Sequence, residues 1–127
     1  KPNNFLIPTI INQAKKNGEI SLNDLRPKRD FLYIKDLVSL IDKIIIKKPV
    51  TGIYNVGYGR SFSIKQITDA ISKILDKSIK LKSKNIIRKN EILDLFADIK
   101  KVSSAFNWQP KFSIYEGISD YLRDEKQ

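Results

Sequence analysis

Cysteine, histidine and methionine are absent from this 127-residue chain, and tryptophan occurs once. Without cysteine there is no disulfide and no thiolate chemistry; without histidine there is no imidazole-ligated metal and no histidine-based triad. A reducing, cytoplasmic setting is expected. No apolar run approaches the roughly 20 residues a membrane helix needs, and the opening KPNNFLIP lacks the form of a signal peptide, so no membrane attachment is expected. The missing methionine at position 1 gives the expectation that the chain is a piece of a longer product.

Hydrophobic residues make up 41% of the chain, enough for one core and too little chain for two independent domains, so residues 1–127 are read as a single unit. The formal net charge is +10 and the sequence pI about 9.8. Such a balance raises a small basic nucleic-acid-binding module as an alternative, since clustered cations displace counterions from a phosphate backbone. The lysines are not clustered. They fall in pairs at 15–16, 47–48 and 100–101, mostly at expected helix ends, where a cation suits the helix dipole or a solvated rim.

Period and punctuation predict short strands between amphipathic helices. NFLIPTIINQAKKNG places Phe5, Ile10, Ile11 and Ala14 on one helical face, with Pro8 in the first turn and Gly18 as the stop. EISL alternates like a strand, and NDLRPK is irregular. DFLYI reads as a strand, after which Asp36 opens a helix through LVSLIDKIIIKK that Pro49 and Gly52 end. GIYNVGYG reads as a short strand running into Gly57 and Gly59. Ser61 or Ser63 caps the helix IKQITDAISKIL, SIKLKS is a further strand, Asp98 caps a short helix ending before Pro110, and Ser113 caps the last one. The fold class is a small α/β or α+β lobe.

The stretch RPKRDFLYIKDL carries the first candidate site. A guanidinium offers a rigid fork of donors that matches phosphate and stays charged when partly desolvated, so Arg29, at the entrance to a strand, suits an anion cleft. The plainer reading is a surface pair with Asp30 or Asp36. In YNVGYGRSFSI, two glycines before a serine-capped helix could cradle a phosphate on backbone amides; the default is a tight turn needing positive φ. Arg88, in IIRKNEIL, is a second arginine at a turn; two guanidiniums facing one cleft repel unless an anion such as a pyrophosphate lies between them. Trp108, Phe106 and Phe112 are read as packing. No residue stands out as a general base.

In order, the segments NFLIP, RDFLYIKD, YNVGYGRSFSI, RKNE, ADIKK and NWQPKFSIYEGI resemble the C-terminal part of the extended short-chain dehydrogenase/reductase family, the nucleotide-sugar epimerases and dehydratases. That family's pattern runs N-F-x-P, R-D-F-x-Y-V-x-D, Y-N-V-G-x-G-x-x-x-S, R-x-G-D, A-D-x-x-K and G-W-x-P-x-x-x-[LI]-x-E-G. The resemblance covers essentially the whole chain. It implies the substrate-binding lobe of a cytoplasmic, homodimeric enzyme of surface-polysaccharide sugar synthesis, acting on a nucleoside-diphosphate sugar.

The resemblance also assigns residues. Arg29 and Arg88 grip the diphosphate, Asn4 and Phe5 lie against base and ribose, and Leu22 borders the base. Tyr54, Asn55, Trp108 and Glu116 are structural, while Asp30 and Asp36 shape the strand and cap the next helix. Three segments depart from the pattern: RKNE lacks the glycine of R-x-G-D, NDLRPK stands where a G-x-G wall is usual, and Asn107 replaces a glycine whose left-handed backbone asparagine tolerates. The family's G-x-x-G-x-x-G fingerprint, catalytic Ser or Thr and Y-x-x-x-K do not occur here. The expectation is therefore a lobe whose Rossmann domain, carrying NAD or NADP, lies N-terminal to it, and which by itself binds no cofactor and catalyses nothing. A noncatalytic scaffold of the same descent is the remaining alternative.

Overall fold

A computed structural model describes residues 5–48 and 51–126. Along the chain the elements run α1 (Leu6–Asn17), β1 (Glu19–Leu22), β2 (Lys28–Asp30), α2 (Ile34–Lys47), β3 (Ser61–Phe62), α3 (Ile64–Leu75), β4 (Lys80–Ser83), β5 (Asp94–Leu95), α4 (Lys100–Phe106) and α5 (Ile114–Asp124). The expected α/β lobe of short strands and amphipathic helices is what forms.

Two small sheets carry the strands. β1 pairs in parallel with β4, and Gln13 closes the β1 edge by accepting from the Ser21 amide at 2.7 Å and donating to the Ser21 carbonyl at 3.3 Å. In the second sheet β2 lies between β3, antiparallel, and β5, parallel, so that Arg29 stands opposite both Phe62 and Leu95.

The larger core forms where α1, α3 and α5 meet β1. Ile10, Ile11, Ala14, Ile20, Phe62, Ile67, Ile71 and Ile118 are buried there. Phe5 is not on this face: it sits at the N-cap of α1 and is 75% exposed. Helices α3 and α5 begin on matched capping boxes, Ser63 with Gln66 and Ser113 with Glu116, each side chain satisfying the other's orphan amide. A second cluster gathers Leu40 of α2, Val102 and Phe106 of α4, and Trp108.

Two expected strands and two expected caps differ. The strand expected over DFLYI occupies Lys28–Asp30 instead; Phe31, Leu32 and Tyr33 carry no ladder, and α2 starts at Ile34. Asp36 is therefore inside the first turn rather than at its cap. Its side chain is 2% exposed and accepts from the Lys111 and Phe112 amides at 2.8 and 3.1 Å, while its carbonyl accepts from Trp108 Nε1 at 3.1 Å. GIYNVGYG forms no strand; its Tyr58 and Gly59 amides donate instead to a side chain described below. Asp98 accepts from the Lys100 amide at 3.0 Å, but Ile99 holds the N-cap position of α4. Helix α2 ends as Lys48 enters the left-handed region at φ 48; Pro49, expected to stop it, lies outside the described residues.

Between α2 and α5, the Tyr33 hydroxyl and the Lys35 ammonium both donate to Asp120 Oδ2 at 2.6 Å. Burial, with the Asp120 carboxylate beside it, pushes the Tyr33 phenol up to about 12, whereas Lys35 and then Tyr33 hold the Asp120 carboxyl below its usual range. The folded state thus keeps the phenol proton that the unfolded chain releases from its ordinary value of 10.0 upward. Stability present below that value should decline as the pH rises towards 12. Urea denaturation across this window should show the decline in the native chain and a flatter limb in Tyr33→Phe; equal slopes would remove Tyr33 as its source.

Candidate functional site

The site is organised by β2. Strand alternation sends Arg29 and Asp30 to opposite sides of the three-stranded sheet. Asp30 Oδ1 accepts from the Tyr58 amide at 2.7 Å, and Oδ2 from the Gly59 and Ala97 amides at 2.9 and 3.2 Å. One carboxylate thereby holds the glycine turn and the segment leading out of β5. Gly57 is dictated by space, since a Cβ there would lie 2.7 Å from Asp30 Oδ2 and 2.8 Å from the Ala97 Cβ; Gly59 is dictated by its φ of 93°. Two of the amides that could have cradled a phosphate, those of Tyr58 and Gly59, are occupied by Asp30, and the Gln66 amide at the start of α3 is taken by Ser63, so the turn has a structural duty.

Arg29 has neither of the partners expected from its neighbours. Its Nη1 donates to the Lys28 and Ile92 carbonyls at 2.9 and 2.7 Å, and its Nη2 donates to Glu91 Oε1. Three of the five guanidinium N–H groups are thus engaged, leaving Nε–H and one Nη2–H without a partner among the described residues. The side chain is 30% exposed, and that of Glu91 is 16% exposed.

Arg88 lies on the segment that Glu91 and Ile92 end. This segment is tied at its start by the Lys84 and Ile86 amides donating to the Leu22 and Asn23 carbonyls at 2.8 and 2.9 Å. Its far end is tied by the Arg29 guanidinium and by the Lys28 amide donating to the Leu93 carbonyl at 2.8 Å. Leu22, Arg88 and Arg29 are connected through one short loop. Arg88 itself is exposed, with no hydrogen bond or ion pair among the described residues. The glycine missing from RKNE is replaced in function by Asn90, whose φ of 60° is the left-handed conformation a glycine would supply; Asn107 does the same at φ 48°. Phe5 stands at the start of α1, away from these contacts, and Asn4 lies outside the described residues.

A groove of about 490 Å³ runs beside Arg29, walled by Asp30, Leu32, Asn55, Val56, Phe96 and Asp98. That volume is within the range of small-ligand sites. A separate apolar pocket of about 310 Å³ lies between the start of α1, Phe31, Tyr33 and α5. Among the described residues no group of acids could hold a metal ion, and no helix is long and apolar enough to cross a membrane. Sequence reasoning missed Glu91 as the partner of Arg29; the only available signal was an acid at the place of the aspartate in R-x-G-D.

This scaffold, with Arg29 on the central strand of the three-stranded sheet beside an open groove, matches the C-terminal part of NAD-dependent epimerase and dehydratase structures. The profile of the family described as GDP-mannose 4,6 dehydratase matches residues 2–121, and the chain belongs to that family, within the extended short-chain dehydrogenase/reductases. CDP-abequose synthase of Salmonella muenchen is 32% identical over 120 residues, covering 92% of this chain and 41% of the relative. The structure of RMD from Pseudomonas aeruginosa complexed with NADPH superposes with a TM-score of 0.83 at 18% identity, covering 98% of this chain and 43% of that one. UDP-glucose 4-epimerase from Thermotoga maritima with UDP-glucose gives a TM-score of 0.74 at 22% identity, over 95% of this chain and 40% of that one. At these identities the two structures show the fold, and the chain spans less than half the length of each.

Replacing Asp30 by alanine would orphan three backbone amides at once. The cost should be about 3 kcal/mol, read as a lowered urea midpoint at unchanged m-value. Gly57→Ala should destabilise through the same contact, and a midpoint within experimental scatter of the native one for both variants would dissolve the Asp30 tie.

Proposed function

We propose that this chain is the lobe that holds the nucleoside diphosphate of a nucleotide sugar in an NAD(P)-dependent epimerase, dehydratase or reductase. The observation that carries the reading is the state of Arg29. Two backbone carbonyls fix the plane of its guanidinium, Glu91 takes a third N–H, and two N–H groups are left over on a side chain that lines a groove of ligand size. A preorganised fork of that kind binds a phosphate without first having to be ordered. Arg88, exposed and unpaired among the described residues on the loop that Arg29 anchors, supplies the second cation, and Leu22 borders the same loop. Asn4 and Phe5 are the proposed contacts to base and ribose.

The residues of this chain do not fit a dinucleotide: its one glycine-rich turn before a helix has its amides on Asp30, and no nicotinamide fingerprint occurs in the sequence. NAD or NADP, when bound, supplies the hydride chemistry from a separate domain. Two features here support such a domain as partner. Ile34, Val38, Ile41 and Ile45 form a stripe down α2 that is 45–70% exposed, and the apolar pocket beside α1 shares Ile34 with it. An apolar surface of this kind on a soluble lobe calls for a cover, and a relative matched over 41% of its length has the chain to provide one. On this reading the lobe alone catalyses nothing, and the complete enzyme is a cytoplasmic homodimer.

Calorimetric titration with UDP, CDP, dTDP and GDP sugars tests the reading directly. The lobe should bind at least one of them, with Arg29→Ala and Arg88→Ala each weakening it about tenfold or more, the worth of a charge-assisted pair. Affinity untouched in both variants would refute the diphosphate role. Binding to random RNA that tracks the lysines and falls steeply with salt would instead favour the basic nucleic-acid module.

A further inference from the structure

The contact that holds Arg29 also weakens it as an anion site. Its Nη1 is already held by two backbone carbonyls, Lys28 at 2.9 Å and Ile92 at 2.7 Å, and two acceptors on one nitrogen are sufficient to set the plane of a guanidinium. Glu91 therefore adds little to orientation. What it adds is a full negative charge on the same head, from a carboxylate more shielded than the arginine it meets. Arg26 lies within electrostatic reach of Glu91 but is held by Asp24, and among the described residues Arg29 is the one basic side chain in an ion pair with Glu91.

Building on the diphosphate reading above, we infer that Glu91 is an internal counter-ion that sets the affinity of this site, occupying Arg29 in the ligand-free lobe and opposing the charge of any anion that joins it. An anion on the two remaining N–H groups lies roughly 6 Å from the Glu91 carboxylate, near enough in a half-exposed, salt-screened setting for a factor of about three to ten in the affinity of a diphosphate and of less than about two for a singly charged anion. The site thus holds a diphosphate loosely. Loose binding suits a lobe that must release a product bearing the same diphosphate as its substrate. The glutamate reaches Arg29 across the turn at Asn90, at the position where the family pattern carries the shorter aspartate.

Glu91→Gln keeps an acceptor of the same shape and removes the charge. Calorimetry of inorganic pyrophosphate, inorganic phosphate and acetate against the 127-residue chain should show tighter pyrophosphate binding in this variant, by about three- to tenfold, with a smaller gain for phosphate and a negligible one for acetate. A purely structural role has no reason to scale with ligand charge. Glu91→Ala carries the same expectation and serves if the glutamine variant is poorly folded by thermal unfolding. Weaker or unchanged pyrophosphate binding in both, with Arg29→Ala still abolishing it, overturns the counter-ion and leaves the diphosphate reading standing. Pyrophosphate binding that is absent from the native chain, or indifferent to Arg29→Ala, overturns both.

Discussion

The lobe depends on two carboxylates flanking one short extended run, each receiving backbone amides from far along the chain. Asp30 gathers the glycine turn at 58–59 and Ala97; Asp36 gathers Lys111 and Phe112 and, through its carbonyl, the indole of Trp108. A carboxylate can accept several N–H donors and stays put only if it has them, because a buried charge without partners is costly. These two ties join the larger core to the second cluster. They also fix the extended run 31–33 between them, so the place of Arg29 in β2 is set by its neighbours, while its guanidinium is oriented by its own contacts.

That dependence explains which parts of the molecule were legible in the residues. Helices α3 and α5 announce themselves through Ser63 and Ser113 with the matched Gln66 and Glu116, because a capping box is written within four consecutive positions. β1 and β4 alternate locally and were found as strands. The run DFLYI misleads for a physical reason: aromatic and branched residues favour extended backbone, but ladder bonds require a neighbour. The neighbours β3 and β5 reach only as far as Asp30. The ties of Asp30 and Asp36, and the pairing of Arg29 with Glu91, join residues 28 to 76 positions apart, which no local pattern records. What the motif order does convey is that these segments belong together, and the ties show why: RDFLYIKD, YNVGYG, ADIKK and NWQPKF are the two ends of the same hydrogen bonds.

The strongly basic composition has a structural use that competes with any nucleic-acid reading. Lys43 and Lys47 donate to the Asn107 and Ala105 carbonyls at the end of α4, at 2.9 and 2.7 Å, and Lys77 donates to the Ala14 carbonyl near the end of α1 at 3.2 Å. Lys101 reaches the Ile53 carbonyl at 2.7 Å and stands over the Tyr54 ring. Helix C-termini expose carbonyls that nothing inside the helix can satisfy, and an ammonium from a neighbouring element meets both the orphan acceptor and the negative end of the dipole. These cations act as fasteners between elements. A polyanion competing for them would have to undo the fold that presents them, whereas Arg88 makes no hydrogen bond or ion pair among the described residues. With Lys43, Lys47, Lys77 and Lys101 engaged on backbone carbonyls and Arg29 lining the groove, the proposed small, multiply charged ligand is a better match to this surface than a long phosphate chain.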